Sequence, residues 1–149
     1  MKRLDGSIAS ASEFIHIAEQ FGLAKLIDHR VLELAIDLLR SIPNIKLALN
    51  LSAATATDAQ WLSSLEAFTG KERALTERLT IEITETAAIS DLAETVKFVS
   101  ALKALGCRVA LDDFGAGYTS FRSLRLLGVD MPLFAQNLFG EQAVFLLSR

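Results

Sequence analysis

Apolar and polar positions repeat with two different periods along this chain, and the changes of period divide it into helices and strands. From Ala24 to Arg40 the apolar residues Ile27, Val31, Leu34 and Leu38 follow the spacing of one helix face, leaving Lys25, Asp28, Arg30, Glu33 and Asp37 to water. A shorter helix around 13–20 precedes it, with Gly22 between the two. "IKLALNLS" (Ile45–Ser52) is aliphatic and too short before its polar end for a helix, so it reads as a strand. The same form returns in "RLTIEITE", ending at Glu85, and in "CRVALDD", ending at Asp113; each follows a helical segment and gives way to a polar or glycine-rich loop. The helix between these two strands carries the fullest signals. Asp91 with Glu94 makes a capping-box-like start, Leu92, Val96, Val99, Leu102 and Leu105 form the apolar stripe, and Gly106 suits a left-handed C-terminal position.

Helices alternating with short apolar strands predict an α/β fold with a parallel sheet, either open and doubly wound or curled into a barrel. Periodicity leaves both open. The strand faces separate them: Leu47, Leu49, Leu51, Ile81, Ile83, Val109 and Leu111 make one bulky face for helices to cover. The other carries Ala48, Asn50 and Ser52, then Thr80, Glu82 and Thr84, then Arg108, Ala110 and Asp112, a polarity suited to a barrel interior near its catalytic mouth.

Composition narrows the function. The chain has 149 residues, 51% of them hydrophobic, enough for one packed domain, and no low-complexity stretch or linker marks a second. Its net charge of −3 comes without a run of basic residues, which argues against a nucleic-acid polymer or a polybasic membrane anchor as partner. No signal-peptide architecture or membrane-spanning apolar run is present, so a cytoplasmic location is expected. The single cysteine, Cys107, rules out an internal disulfide and reads as a buried thiol at a strand start.

The candidate chemistry lies at the strand ends. The polar residues nearest the C-terminal end of the inward face are Asn50, Glu82 and Asp112, 32 and 30 residues apart, one βα repeat each. Parallel strands in register bring an amide oxygen and two carboxylates to one rim, where βα proteins place their active sites. Oxygen donors without histidine or cysteine suit a hard cation such as Mg²⁺ or Mn²⁺ rather than zinc. Asp113, once turned inward by the following loop, would hold a second ion; two ions about 3.5–4 Å apart can clamp a hydroxide and a phosphate oxygen in phosphodiester hydrolysis. Gly115 and Gly117 let that loop turn tightly against the site. Against this stands the plain alternative that an acid at a strand end caps a helix or sits in water, and Glu85 reads either as a support for the glycine loop or as a solvated side chain. His16 and His29 fall on helices as surface or partly packed residues, Trp61 reads as core, and Tyr118 and Phe121 brace the loop.

The ordered segments "FIHIAEQFGLAKLID", "LALNLS", "IEITET" and "LDDFGAGYTSFRSLRLLGVD" resemble the EAL domain family, bacterial phosphodiesterases that linearise cyclic di-GMP. The resemblance implies a TIM-like barrel with metal ligands at Asn50, Glu82 and Asp112, Asp113 at a second metal, and Glu85 steadying the loop that includes Phe114, Gly115, Gly117, Tyr118 and Ser120. It also implies cyclic di-GMP as substrate, a homodimer through that loop, and a sensory or diguanylate cyclase domain in the parent protein. Two departures accompany it. The Glu-Ala-Leu tripeptide, whose glutamate is a metal ligand in the family, does not occur, and Leu133 stands roughly where the family's Lys-Ile-Asp lysine falls. The expectation is therefore a partial EAL domain over 1–149, an incomplete (β/α) barrel without the first strands and the last, with nucleotide or partner binding without turnover as the alternative activity.

Overall fold

The two unlike faces of the strands decide where the helices pack. The computed structural model describes residues 11–70, 72–112, 127–129, 131–132 and 143–146. Helices α1 (Ala11–Gln20) and α2 (Ala24–Ser41) lead into β1 (Lys46–Leu51); α3 (Ala59–Thr69) and the single turn α4 (Arg73–Thr76) lead into β2 (Leu79–Thr84). Helices α5 (Glu85–Ser90) and α6 (Leu92–Leu105) then lead into β3 (Arg108–Asp112), followed by β4 (Met131–Pro132) and β5 (Ala143–Leu146). The strands form one sheet in the order β4-β3-β2-β1-β5, and every pair is parallel. Pro132, which has no N–H to donate, lies in an outermost strand of the sheet.

One hydrophobic cluster joins the bulky strand face to the helices. Leu47, Leu49, Leu51, Ile81, Ile83, Val109 and Leu111 all belong to it, with Leu32 and Ile36 of α2, Trp61 and Leu65 of α3, and Phe98, Val99 and Leu102 of α6. Ala48 and Ala110 are equally buried yet lie outside that cluster, on the other face. Helices on one side, with β1 to β4 lying side by side in chain order, make the arc of a (β/α) barrel and leave the polar face to its interior.

Helix α6 follows its sequence signals at both ends, but of the expected stripe only Val99 and Leu102 are fully buried, joined by Thr95 and Phe98, while Leu92, Val96 and Leu105 are half-buried. The Asp91 side chain accepts from Glu94 N at 3.1 Å, and Gly106 closes the helix at φ 99°. Helix α2 forms over the expected span but buries a different face. Its buried residues are Ala24, Asp28, Leu32, Ala35, Ile36 and Leu39, whereas Ile27, Val31 and Leu38 are half-buried and Leu34 is 47% exposed. Asp28, expected in water, is 7% exposed. The helix carries two overlapping apolar stripes, and only contact with the sheet and with Trp61 selects between them; the indole Nε1 donates to the Asp28 carbonyl at 3.3 Å.

A second correction concerns the segment after β2. Instead of a loop, α5 begins at Glu85, capped by Thr84, whose hydroxyl accepts from Ala87 N at 3.2 Å. Glu85 is 3% exposed, so the solvated alternative is wrong. The apolar Ala87 and Ala88 enter the core, and this draws the chain back against the sheet.

The N-terminal ends of the strands are closed by polar side chains that bond to backbone carbonyls. Arg78, just before β2, donates from Nη2 to Leu39 O at 2.7 Å, from Nη1 to Ile42 O and Ile45 O at 3.1 and 3.4 Å, and from Nε to Ala74 O at 3.0 Å. It thereby satisfies carbonyls at the end of α2 that the helix itself leaves over. Thr76 Oγ1 donates to Leu105 O at 2.6 Å beside Gly106, where a Cβ would lie 2.9 Å from that hydroxyl oxygen.

Candidate functional site

Parallel register carries the strand C-termini to one rim. Asn50 pairs directly with Glu82 across β1 and β2, while Glu82 pairs with Ala110, and Asp112 lies opposite Thr84. Asn50 and Glu82 therefore share a level, and Asp112 sits one strand over and two residues further towards the rim. The expected trio meets in a staggered row on the inward face. Asn50 and Asp112 are half-buried, and Glu82 is 3% exposed.

Glu82 carries the electrostatic tension of the site. Its Oε1 is buried and accepts no hydrogen bond from any described group. Burial first, and then the negative charge of Asp112, push its carboxyl up to about 7. A buried carboxylate facing another acid without a donor is unfavourable unless a proton or a cation offsets the charge. Among the described residues no three His, Cys, Asp or Glu side chains gather at one point. The donor set is two carboxylates and an amide oxygen, all hard oxygen ligands, and the orphaned Glu82 oxygen is what a divalent cation would take up; these residues fit Mg²⁺ or Mn²⁺. Asp113, Phe114, Gly115, Gly117, Tyr118, Ser120, Phe121 and Leu133 lie outside the described residues.

Beside this row the structure places a carboxylate that the sequence reading missed. Asp28 Oδ2 accepts from both the backbone N–H and the hydroxyl of Ser52, at 3.1 and 2.6 Å. The Ser52 hydroxyl is in turn 3.1 Å from Thr55 Oγ1, and Thr55 is fully buried. Burial raises the Asp28 carboxyl above its ordinary value despite these bonds, the Ser52 hydroxyl opposing most. Asp28, Ser52, Asn50 and Thr84, with Ala18 and Ala24, line a cavity of about 120 Å³ at the rim. The signal for Asp28 was its spacing: it follows Ala24 by four residues and precedes Leu32 by four, on the stripe that turned out to be buried.

The other candidates fall away from the rim chemistry. Cys107 is buried, and burial pushes its thiol up to about 12, so it is inert as a nucleophile. His29 is half-buried and Trp61 is core. No described helix is long and apolar enough to cross a membrane.

Fold and rim together define a (β/α)-barrel protein with an acidic, oxygen-rich site at the C-terminal ends of its strands. Comparison with known proteins supplies the family. The chain belongs to the EAL domain family, whose match spans residues 1–140. It is 28% identical over 135 residues to the cyclic di-GMP phosphodiesterase PdeF of Escherichia coli, across 88% of this chain and 18% of that protein. Among solved structures, the FimX EAL domain from Pseudomonas aeruginosa bound to c-di-GMP matches at TM-score 0.77 and 31% identity, over 87% of this chain and 53% of that one. The PaMucR phosphodiesterase in complex with c-di-GMP matches at TM-score 0.72 and 29% identity, over 79% and 53%. This chain thus spans about half the length of the solved chains it matches, which are barrels of the TIM type, and the expected TIM-like α/β fold holds.

Proposed function

We propose that residues 1–149 carry the metal-binding rim of a phosphodiesterase domain that hydrolyses cyclic di-GMP to the linear dinucleotide. Asn50, Glu82 and Asp112 hold Mg²⁺ or Mn²⁺, Asp113 serves a second ion, and Glu85, at the buried start of α5, supports the loop over 114–120. The observation that carries this reading is the buried Glu82 Oε1 with no donor among the described residues, next to the acid Asp112. A bound divalent cation supplies a low-pKa water and neutralises charge on the phosphate. Asn50 adds an oxygen without adding a third charge, so the set stays weakly enough anionic to accept an anionic substrate. The apolar face behind β1 to β3 is locked into the core, which keeps the three donors from turning away from one another.

The test is hydrolysis of cyclic di-GMP followed by chromatography, with Mg²⁺ or Mn²⁺ added, in wild type and Asp112→Asn. Loss of product with an unchanged circular dichroism spectrum is expected; turnover at the wild-type rate in the variant overturns the ligand assignment. A second reading, binding of the nucleotide without turnover, is favoured by Leu133 where the family lysine is expected. Calorimetric binding of cyclic di-GMP with no product from wild type selects it. A homodimer through the loop over 114–120 belongs to the same proposal, and a sedimentation mass of one chain at micromolar concentration counts against it.

A further inference from the structure

We infer that Asp28 is a positioning residue for the metal-binding rim, acting through Ser52 to hold the end of β1 where Asn50 meets Glu82. The inference rests on the reading of that rim as a metal site. Asn50 is the last residue but one of β1, and Ser52 is the first residue beyond the strand. A strand end of this kind frays unless something other than the ladder takes its N–H. Here the donor goes to a carboxylate on a different element: Asp28 on α2, which is itself pinned to the core by Leu32 and Ile36 and by the indole of Trp61. The Ser52 hydroxyl doubles the contact, and Ser52 O receives the N–H groups of Thr55 and Ala56 at 3.0 and 3.1 Å, so both sides of the residue are held. Asn50 is thus fixed from below by β1 pairing with Glu82 and from above by a clamp reaching in from the outer layer. Groups behind the ligands that orient them typically change metal affinity about 10–100-fold when removed.

Both bonds from Ser52 land on the same oxygen of Asp28, so an asparagine whose amide oxygen takes that place keeps them. That separates clamping from charge. Mn²⁺ binding to the full chain, followed by electron paramagnetic resonance, is measured for wild type, Asp28→Ala, Asp28→Asn and Ser52→Ala. Val99→Ala, a core change in α6, serves as a control for lost stability. Asp28→Ala is expected to weaken Mn²⁺ binding about tenfold or more, Ser52→Ala by less, and Asp28→Asn to stay near wild type. The Val99→Ala control stays near wild type as well. Amide exchange of Ser52 in the metal-free chain should speed up in Asp28→Ala and not in Asp28→Asn. Equal Mn²⁺ affinity in wild type and Asp28→Ala overturns the positioning role while leaving the rim site intact, and so does a loss in Val99→Ala as large as in Asp28→Ala. If Asp28→Ala does not fold, unchanged affinity in Ser52→Ala overturns it equally. Failure of wild type to bind Mn²⁺ sinks the rim reading itself, and the inference with it.

Discussion

The two ends of the β1–β3 sheet are built on opposite terms. At the N-terminal end the long guanidinium of half-buried Arg78 meets four backbone carbonyls and Thr76 caps the end of α6, so the polar groups at this end have partners. At the C-terminal end Glu82 is buried without a donor among the described residues, and a second acid presses on it. One end stabilises the fold; the other is held in an unfavourable state by the rest of the structure. A rim that is costly without a ligand is the usual physical mark of a binding site.

The largest break in this comparison should come from the satisfied end. Arg78→Ala leaves the part-buried carbonyls of Leu39 and Ile45 without their donor, removes the exposed bonds to Ile42 and Ala74, and is expected to cost about 3 kcal/mol, read as a shift of the urea midpoint. A loss below about 1 kcal/mol would mean that water replaces the guanidinium and that this end is not the stabilising one.

The rim should show its tension as a pH dependence. The folded-state value of Glu82, about 7, lies above its ordinary 4.5. Between those values the unfolded chain gives up the proton and the folded chain keeps it. Stability without divalent cations therefore falls as pH rises from about 4.5 to 7, by at most about 3 kcal/mol, and levels off above. Glu82→Gln is expected to remove that slope, and Mg²⁺ or Mn²⁺ to recover stability at the upper end. Parallel urea curves for wild type and variant across this range would show that Glu82 is not strained.

A smaller effect belongs to Gly106. At φ 99°, with Thr76 Oγ1 2.9 Å from the place of a Cβ, Gly106→Ala should cost about 1–2 kcal/mol in thermal or urea unfolding. Double substitution with Thr76→Ala, which removes that hydroxyl, tests whether backbone strain or the side-chain contact dominates. The smallest effect concerns Cys107, whose thiol is pushed up to about 12. A maleimide at pH 8 should leave it unmodified until denaturant unfolds the chain; rapid labelling of the native protein would show that the start of β3 opens.

Much of this molecule is legible without coordinates where local rules suffice. Helix α6 is one case, because Asp91, Glu94 and Gly106 set its ends through hydrogen bonds to their own neighbours. The strand faces are another, since alternation places Asn50, Glu82 and Asp112 on one side of the sheet whatever covers the other. What failed was the choice between competing local solutions. Helix α2 carries apolar residues on more than one stripe, so spacing alone puts Asp28 in water, and the six-residue α5 is too short for its period to show against the polar end of β2.

By itself, then, the sequence determined the order of helices and strands, the parallel sheet, the polar inner face, and the oxygen donors that sit one repeat apart. These depend on periods of two and 3.6 residues and on caps within a turn of each other. Only the tertiary structure decided which stripe of α2 is buried, that Asp28 clamps Ser52, that Arg78 closes the far end, and that Glu82 is left without a donor among the described groups. Each of those joins residues from separate elements, up to 39 positions apart in the Arg78–Leu39 contact, and depends on which solvent-free space is left once the sheet and helices have packed.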